Sequence, residues 1–273
     1  MKSTLMMKKN RVLILLAGFG FLFFFGCSSG AKISSGWVDN EIKVDGSISE
    51  WNKIMNKIPD RGISVGFRND DKFLYLCFAA DNRARIMMLI RNGMIIWFEP
   101  ESGDKNLFGI RYPMPSAEFK SSEYPEMTGA IEREENFEKM IKNFLEQQKE
   151  FQILNSDRFP LTALPIMNNE GIEAGLQYNM NQLTYELKIP LLTRTGYSFR
   201  VDASPGGKIR INFESENVLG DNKGGLKSIG MSGGGPESYG GGRGSRRGIA
   251  GGYIMEPLKY SVELNLVDAP KVK

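Results

Sequence analysis

Residues 72–80 (KFLYLCFAA) constrain the fold of this chain most strongly, because they are apolar on both faces of any strand that they form. Side chains alternate between the two faces of a strand, so Phe73 and Tyr75 would share one face while Leu74 and Leu76 share the other. A strand with two apolar faces needs a layer of protein on each side of it. The segment therefore predicts a central strand of a β-sandwich.

Shorter strand patterns accompany this central segment. Residues 63–68 alternate between apolar and polar side chains, and residues 69–71 (NDD) then supply a turn. Further strands are predicted at residues 85–90, 94–98, 107–112, 171–178, 182–189, 208–214 and 258–267. Asn92-Gly93 predicts a hairpin turn between the first two of these strands. The whole pattern indicates a mostly β chain, with residues 37–273 forming an antiparallel β-sandwich of the immunoglobulin or jelly-roll type.

Two segments interrupt the strand pattern. About residues 113–170 predict a helical insertion, because apolar residues at 137, 140, 141, 144 and 145 recur at helical spacing within residues 131–151. We expect the apolar face of that helix to pack on the sandwich, and docking to a partner or a membrane is the alternative. About residues 220–252 are rich in glycine and poor in apolar side chains, which predicts a long disordered loop.

The start of the chain is typical of a bacterial lipoprotein signal peptide. Basic residues precede an uncharged apolar run over residues 12–25, which is short for a membrane span and ends at Gly26-Cys27. We expect cleavage of residues 1–26, attachment of acyl chains such as palmitate at Cys27, and a flexible tether over residues 27–36 that leads from the lipid bilayer. An uncleaved anchor helix is the alternative, and both place the domain outside the cytoplasm. Ser28, rather than an aspartate, follows the cysteine, which by resemblance to lipoprotein sorting signals favours the outer membrane in a host that has one.

The composition excludes several classes of chemistry. The chain contains no histidine, so Ser-His-Asp and Cys-His catalysis, histidine metal ligands and a histidine haem ligand are all excluded. Without the four basic residues that precede Cys27, basic and acidic residues nearly balance, and the net charge gives no sign of a nucleic-acid partner. We expect no enzyme activity and no cofactor, while calcium bound through oxygen ligands stays open.

Trp97, Glu99 and Trp37 are the candidate ligand-binding residues. The apolar C–H faces of sugar rings stack on indoles, and sugar hydroxyls form hydrogen bonds with carboxylates. Trp97 lies near the end of a predicted strand and Glu99 follows it, so we expect both at a solvent-facing rim; core packing is the alternative for Trp97. Glu99 with Glu101 or Asp104 would alternatively form the carboxylate pair of a glycoside hydrolase, a calcium site or an ordinary acidic turn.

A family resemblance rests on residues 44–51 (VDGSISEW), which are similar to the opening motif of the family 9 carbohydrate-binding modules and their relatives, among them the DOMON-like domains. Residues 63–65 (ISV), 69–76 (NDDKFLYL), 80–82 (ADN) and 183–190 (LTYELKIP) resemble later parts of the same pattern. The resemblance covers about residues 37–112 and 171–267. It implies a β-sandwich in which structural roles fall to Asp45, Gly46, Trp51, Tyr75 and Pro190, with a tight turn at Asp45-Gly46 and Trp51 packed under a sheet.

The resemblance also implies a function, the non-catalytic recognition of a glycan. Sugar-binding members clamp a sugar between two aromatic side chains and hold calcium nearby, whereas other relatives bind haem through methionine with histidine or lysine. A structural or assembly lipoprotein that kept the fold without binding sugar is a further alternative. A solvent-facing Trp97 in a groove would favour sugar binding, and a buried Trp97 would favour the scaffold.

Overall fold

Thirteen strands and two helices make up the regular structure of the residues that the computed structural model describes, which are 30–39, 42–101, 108–116, 130–154, 162–192, 196–215 and 257–271. The strands are β1 Ala31–Ser34, β2 Gly36–Trp37, β3 Asn56–Ile58, β4 Ile63–Asn69, β5 Phe73–Ala80, β6 Ile95–Pro100, β7 Phe108–Arg111, β8 Glu150–Leu154, β9 Thr162–Pro165, β10 Glu173–Asn179, β11 Gln182–Pro190, β12 Lys208–Glu214 and β13 Lys259–Asn265. The helices are α1 Arg83–Asn92 and α2 Ala130–Gln147. Within this part of the chain, neither helix has the length and hydropathy needed to cross a bilayer.

The strands form two sheets that pack face to face as a sandwich. One sheet has seven strands in the order β1-β13-β12-β6-β7-β8-β9, and the other has the order β10-β11-β5-β4-β2 with β3 joined to β4. The central pairs of both sheets are antiparallel, whereas β2 runs parallel to β4 and places Trp37 opposite Asn69. The β-sandwich predicted from the sequence is therefore confirmed, with a parallel pairing at one edge.

The core lies between the two sheets and continues on the far side of β5. Phe78 of β5 meets Phe213 of β12 across the sandwich, with ring centroids 5.7 Å apart. The opposite face of β5, which carries Tyr75 and Cys77, is covered by Trp51 and other apolar side chains from residues 38–55. Burial on both faces explains why the β5 sequence is apolar throughout.

Helix α1 corrects the prediction of a strand at residues 85–90 and of a hairpin turn at Asn92-Gly93. The Asn82 side chain caps this helix by accepting hydrogen bonds from two backbone N–H groups of its first turn, at 2.9 and 3.2 Å. Gly93 ends it with φ 68° and donates its N–H to the Leu89 carbonyl at 2.8 Å. The strand prediction was wrong because the apolar spacing over so few residues fits both the helical period of 3.6 residues and the strand period of two. The capping residues Asn82 and Gly93 favour the helix.

Two other segments differ from the sequence-based expectation. Residues 31–36, expected within the tether, contribute β1 and the first of the two residues of β2. Ile33 of β1 is buried while its two neighbours are exposed. Such short strands leave too little alternation to detect. Residues 113–170 are not a simple helical insertion, since β8 and β9 extend the seven-stranded sheet beyond β7.

Helix α2 packs on the sandwich through its apolar face, as expected from the sequence. Phe137, Ile141 and Phe144 are at most 4% exposed. Phe137 meets Tyr178 of β10 edge-on, with ring centroids 6.0 Å apart. The predicted signal peptide, Cys27 and the glycine-rich segment at residues 220–252 lie outside the described residues.

Candidate functional site

The turn at Asp45-Gly46 and the Trp51 side chain converge on one buried carboxylate, that of Glu186 in β11. Glu186 is 1% exposed. Its Oε2 atom accepts hydrogen bonds from the backbone N–H groups of Asp45 at 2.9 Å and Gly46 at 2.6 Å, and its Oε1 atom accepts one from Trp51 Nε1. We call this arrangement the Glu186 clasp. Burial raises the pKa of Glu186, although the three donors act in the opposite direction.

Two glycines let the clasp close. Gly46 has φ 84°, and a Cβ atom there would lie 2.7 Å from the backbone nitrogen of Gln177. Gly175 stands opposite Glu186 in the β10–β11 register, and a Cβ atom there would lie 2.7 Å from the nitrogen of Gly46. The backbone of the turn therefore lies directly against the backbone of β10. A side chain at either glycine would prevent this close approach.

The residues that carry the family resemblance are used in structural contacts. Trp51 is 1% exposed and Tyr75 is 2% exposed. Asp45 Oδ1 accepts the Ser47 N–H at 2.9 Å, and this bond is the main reason that the pKa of Asp45 is lowered. The Pro190 carbonyl at the end of β11 accepts the Val201 N–H at 2.9 Å. These positions therefore have structural contacts, and Tyr75 also lines the groove beside β2.

A groove of about 450 Å³ opens beside the end of β2, and we call it the Trp37 groove. Its walls come from β2 and the residues after it, from the turn between β4 and β5, and from the end of β11. The lining residues are Trp37, Val38, Asp39, Asp70, Asp71, Lys72, Phe73, Tyr75 and Lys188. The groove thus combines two half-buried aromatic rings, those of Trp37 and Phe73, with carboxylates and ammonium groups.

Asp70 fixes the turn on one side of the Trp37 groove. Its Oδ1 atom accepts the backbone N–H groups of Lys72 and Phe73, both at 2.7 Å, and its Oδ2 atom accepts the Tyr75 hydroxyl at 3.0 Å. On the other side, Trp37 is held by its pairing with β4 and by the bond from the Val38 N–H to the Asn69 carbonyl at 3.0 Å. The walls of the groove are therefore fixed by hydrogen bonds within the protein.

Lys188 carries a buried positive charge at the base of the Trp37 groove. Its side chain is 7% exposed, and its Nζ atom lies 2.8 Å from Glu173 Oε1. The same atom lies 4.6 Å from the centroid of the Phe73 ring, which is within range of a cation–π contact. A carboxylate and an aromatic ring therefore already stabilise this ammonium group.

Trp97 and Glu99 lie on the other sheet, on β6, away from Trp37. The Trp97 indole covers Gly109 of the adjacent strand, where a Cβ atom would come within 2.6 Å of the ring. Trp97 is half-buried, and its buried indole Nε1–H has no hydrogen-bond partner among the described residues. It lines neither the Trp37 groove nor the cavity beside Glu99. The structure therefore does not bring Trp97 and Trp37 together as a clamp.

Glu99 is 8% exposed and borders a second cavity, of about 340 Å³. We call it the Glu99 cavity; its lining also includes Glu101, Lys208, Arg210 and Glu263. Arg210 stands between Glu99 and Glu263 in the strand register, so opposite charges alternate across this face of the sheet. Asp104, the third acidic residue expected here, lies outside the described residues.

The described side chains include no candidate metal-binding cluster, and their one cysteine is buried. No group of three or more cysteine, aspartate and glutamate residues in that part of the chain is arranged to hold a metal ion. Cys77 is fully buried, and burial raises the pKa of its thiol far above the ordinary value, so the reactive thiolate is disfavoured.

No protein-family model and no curated protein matches the chain. Among solved structures, a family 9 carbohydrate-binding module from Caldicellulosiruptor kristjanssonii in complex with glucose has a TM-score of 0.31 and 11% identity, over 67% of this chain and 77% of the module. A family 9 module from that organism in complex with cellotriose has a TM-score of 0.30 and 12% identity, over 67% and 75% of the two chains. A candidate carbohydrate-binding protein from Bacteroides uniformis has a TM-score of 0.34 and 10% identity, over 68% and 84%. Because identity and TM-score are both low, the function of this chain has to follow from its own residues.

Proposed function

We propose that this chain is a non-catalytic glycan-binding β-sandwich that is anchored to a membrane by lipid at Cys27. The observation that carries the proposal is the Trp37 groove, in which a half-buried indole stands beside one hydrogen-bonded carboxylate, Asp70, and two exposed ones, Asp39 and Asp71. Its volume of about 450 Å³ falls in the range of roughly 300–1,000 Å³ that is usual for small-ligand sites. An indole offers a flat apolar face to the C–H face of a sugar ring, and carboxylates accept hydrogen bonds from its hydroxyls.

The chemistry of the Trp37 groove favours binding over catalysis. Glycoside hydrolysis needs two carboxyl groups, one of which gives up and regains a proton. Three donors already engage the Asp70 carboxylate, which fixes it in a structural role. Asp39 and Asp71 are both exposed to water, whereas an active site usually excludes water from its catalytic groups.

A glycan array probed with the full-length protein in detergent micelles tests this proposal. We expect binding to at least one glycan, and a loss of at least about tenfold in affinity in Trp37→Ala because the stacking face is gone. Trp97→Ala is the matched control, since it removes an indole on the other sheet. Circular dichroism and thermal unfolding would establish that both variants keep the fold.

The result also decides between the two cavities. A loss of binding in Glu99→Gln, with Trp37→Ala unaffected, would move the site to the Glu99 cavity. A loss in Trp97→Ala, with Trp37→Ala unaffected, would instead place the site at the Trp97 indole on β6. Loss in neither tryptophan variant would count against both positions.

A scaffold or assembly lipoprotein is the second candidate function. The Glu186 clasp favours it, because Asp45, Gly46 and Trp51 are fully used in holding the outer layer to the sheet. The same array separates the two functions, since a scaffold would bind none of the glycans above background.

The lipid anchor is a separate part of the proposal and rests on the amino-acid sequence around Gly26-Cys27. Mass spectrometry of the N-terminal peptide from membranes is expected to find Cys27 at the N-terminus with acyl chains attached. Cys27→Ser should abolish the attachment of acyl chains. An unmodified N-terminus in the wild-type protein would contradict the lipid anchor.

A further inference from the structure

We infer that the Trp37 groove selects neutral and amino-substituted glycans and rejects uronic acids. This inference rests on the proposed function and adds the chemical class of the ligand. It follows from the charges that line the groove and from the partners that those charges already have.

The negative charges of the groove outweigh the positive charges that a ligand could use. Asp39, Asp70 and Asp71 contribute three carboxylates, and Lys72 and Lys188 contribute two ammonium groups. The Lys188 ammonium is 2.8 Å from Glu173 Oε1, so its charge is balanced by a carboxylate that does not line the groove. The donors to Asp70 are two backbone N–H groups and a hydroxyl, none of which cancels its charge.

The position of these charges decides which substituents a bound sugar can carry. Asp39 is two residues from Trp37, and Asp71 follows Asp70 in the turn opposite, so both exposed carboxylates lie at the rim. A carboxylate on a sugar stacked on Trp37 would be repelled by them, across water that only partly screens charges this close. An ammonium group would instead be attracted to the carboxylates and to the face of the indole. A hydroxyl group, which has no charge, would form hydrogen bonds without the repulsion of a carboxylate or the attraction of an ammonium group.

Three β-1,4-linked oligosaccharides of equal length test the inference, made from glucose, from glucosamine and from glucuronic acid. They share one type of linkage, and each charged oligomer differs from the glucose oligomer at one position of the ring: an ammonium group replaces the C2 hydroxyl in glucosamine, and a carboxylate replaces the C6 hydroxymethyl group in glucuronic acid. Isothermal titration with the full-length protein in micelles at low salt should give affinities for the glucose and glucosamine oligomers at least about tenfold above that for the glucuronate oligomer. Added salt should reduce the difference.

Charge-removing variants then locate the effect. Asp39→Asn with Asp71→Asn should bring the affinity for the glucuronate oligomer to within about threefold of that for the glucose oligomer. Glu150→Gln removes an exposed carboxylate at the start of β8, outside the groove, and should leave the difference unchanged.

The outcomes separate this inference from the proposed function. Glucuronate binding as tight as glucose binding, lost in Trp37→Ala, would overturn the charge selectivity and leave glycan binding at the groove intact. Failure of all three oligomers, together with a glycan array without any positive signal, would overturn both.

Discussion

The Glu186 carboxylate connects residues 45–51 to the six-stranded sheet. Glu186 accepts hydrogen bonds from residues more than 130 positions earlier in the chain, and each of these donors belongs to the motif around Asp45-Gly46 and Trp51. A buried carboxylate is costly unless several donors surround it. The indole nitrogen of Trp51 is therefore as important to this contact as its apolar ring.

Replacing Trp51 with phenylalanine tests the role of that nitrogen. We expect Trp51→Phe to lower the free energy of unfolding by about 1–3 kcal/mol beyond the cost of the smaller ring, because a buried charge loses a donor. Urea denaturation would measure the change. Trp97→Phe is the matched control, since the Trp97 indole N–H has no hydrogen-bond partner to lose. Equal losses in the two variants would show that the bond to Glu186 adds no stability.

The pH dependence of stability should carry the signature of Glu186. Burial raises the pKa of its carboxyl above the ordinary value of 4.5, so the folded state binds the proton more tightly than the unfolded state. The resulting stability is fully present below the unfolded pKa and is lost as pH rises through the folded pKa. We expect the unfolding free energy of the wild type minus that of Glu186→Gln to fall as the pH rises above about 4.5. A difference that increased with pH would mean that the three donors outweigh burial.

At the scale of single elements, regular alternation identifies a strand with one buried face, whereas a short segment that fits both periods is decided by its caps. The strand Lys208–Glu214 was predicted with the bounds that the structure has, because its alternation is regular and one face alone is buried. Helix α1 was missed because Ile86, Leu89 and Ile90 fit a helix as well as a strand, and the cap at Asn82 decides between them. Cap residues deserve more weight than period in segments of this length.

Removing the helix cap should measure its contribution. Asn82→Ala leaves the N–H groups of Ala84 and Arg85 without their acceptor, and we expect a loss of about 1 kcal/mol in the free energy of unfolding. Asn82→Asp keeps an acceptor in place and should stay within about 0.5 kcal/mol of the wild type. Thermal or urea unfolding would compare the three proteins, and an unchanged Asn82→Ala would show that the helix is held by packing alone.

At the scale of the whole molecule, the Trp37 groove depends on contacts that no local pattern contains. Trp37 was predicted as a ligand residue from its type, but its neighbours Asp70 and Lys188 meet it through the pairings of β2 with β4 and of β5 with β11. The partner of the Gly46 turn, Glu186, is 140 residues away. Sequence periodicity shows which side chains share a face of a strand, but it does not show the order of strands in a sheet. It therefore identified the fold class, and the residue type singled out Trp37, whereas the other residues that line the groove were not identified.

A buried polar network joins the two sheets next to the Trp37 groove. Asn69, at the end of β4, is 0% exposed. Its Nδ2 atom donates to the Val267 carbonyl at 3.0 Å, and its Oδ1 atom accepts the Ser35 hydroxyl. The Ser35 hydroxyl oxygen in turn accepts the Val267 N–H at 3.0 Å. Residues just before Trp37 thus connect β4 of one sheet to the chain that follows β13 of the other.

A chain that starts at Trp37, the domain boundary expected from the sequence, should therefore be less stable than one that starts at Gly30. The shorter chain loses β1 and leaves buried groups of Asn69 and Val267 without Ser35, so we expect a loss of about 3 kcal/mol, or roughly 6–12 °C in Tm. Ser35→Ala in the longer chain separates the network from the strand, with an expected loss of about 1–3 kcal/mol. Because Trp37 pairs with β4 beside this network, the proposed function predicts that the shorter chain also binds glycan less tightly. Equal Tm values for the two chains would show that the first residues are a tether after all, and that the sandwich begins at Trp37.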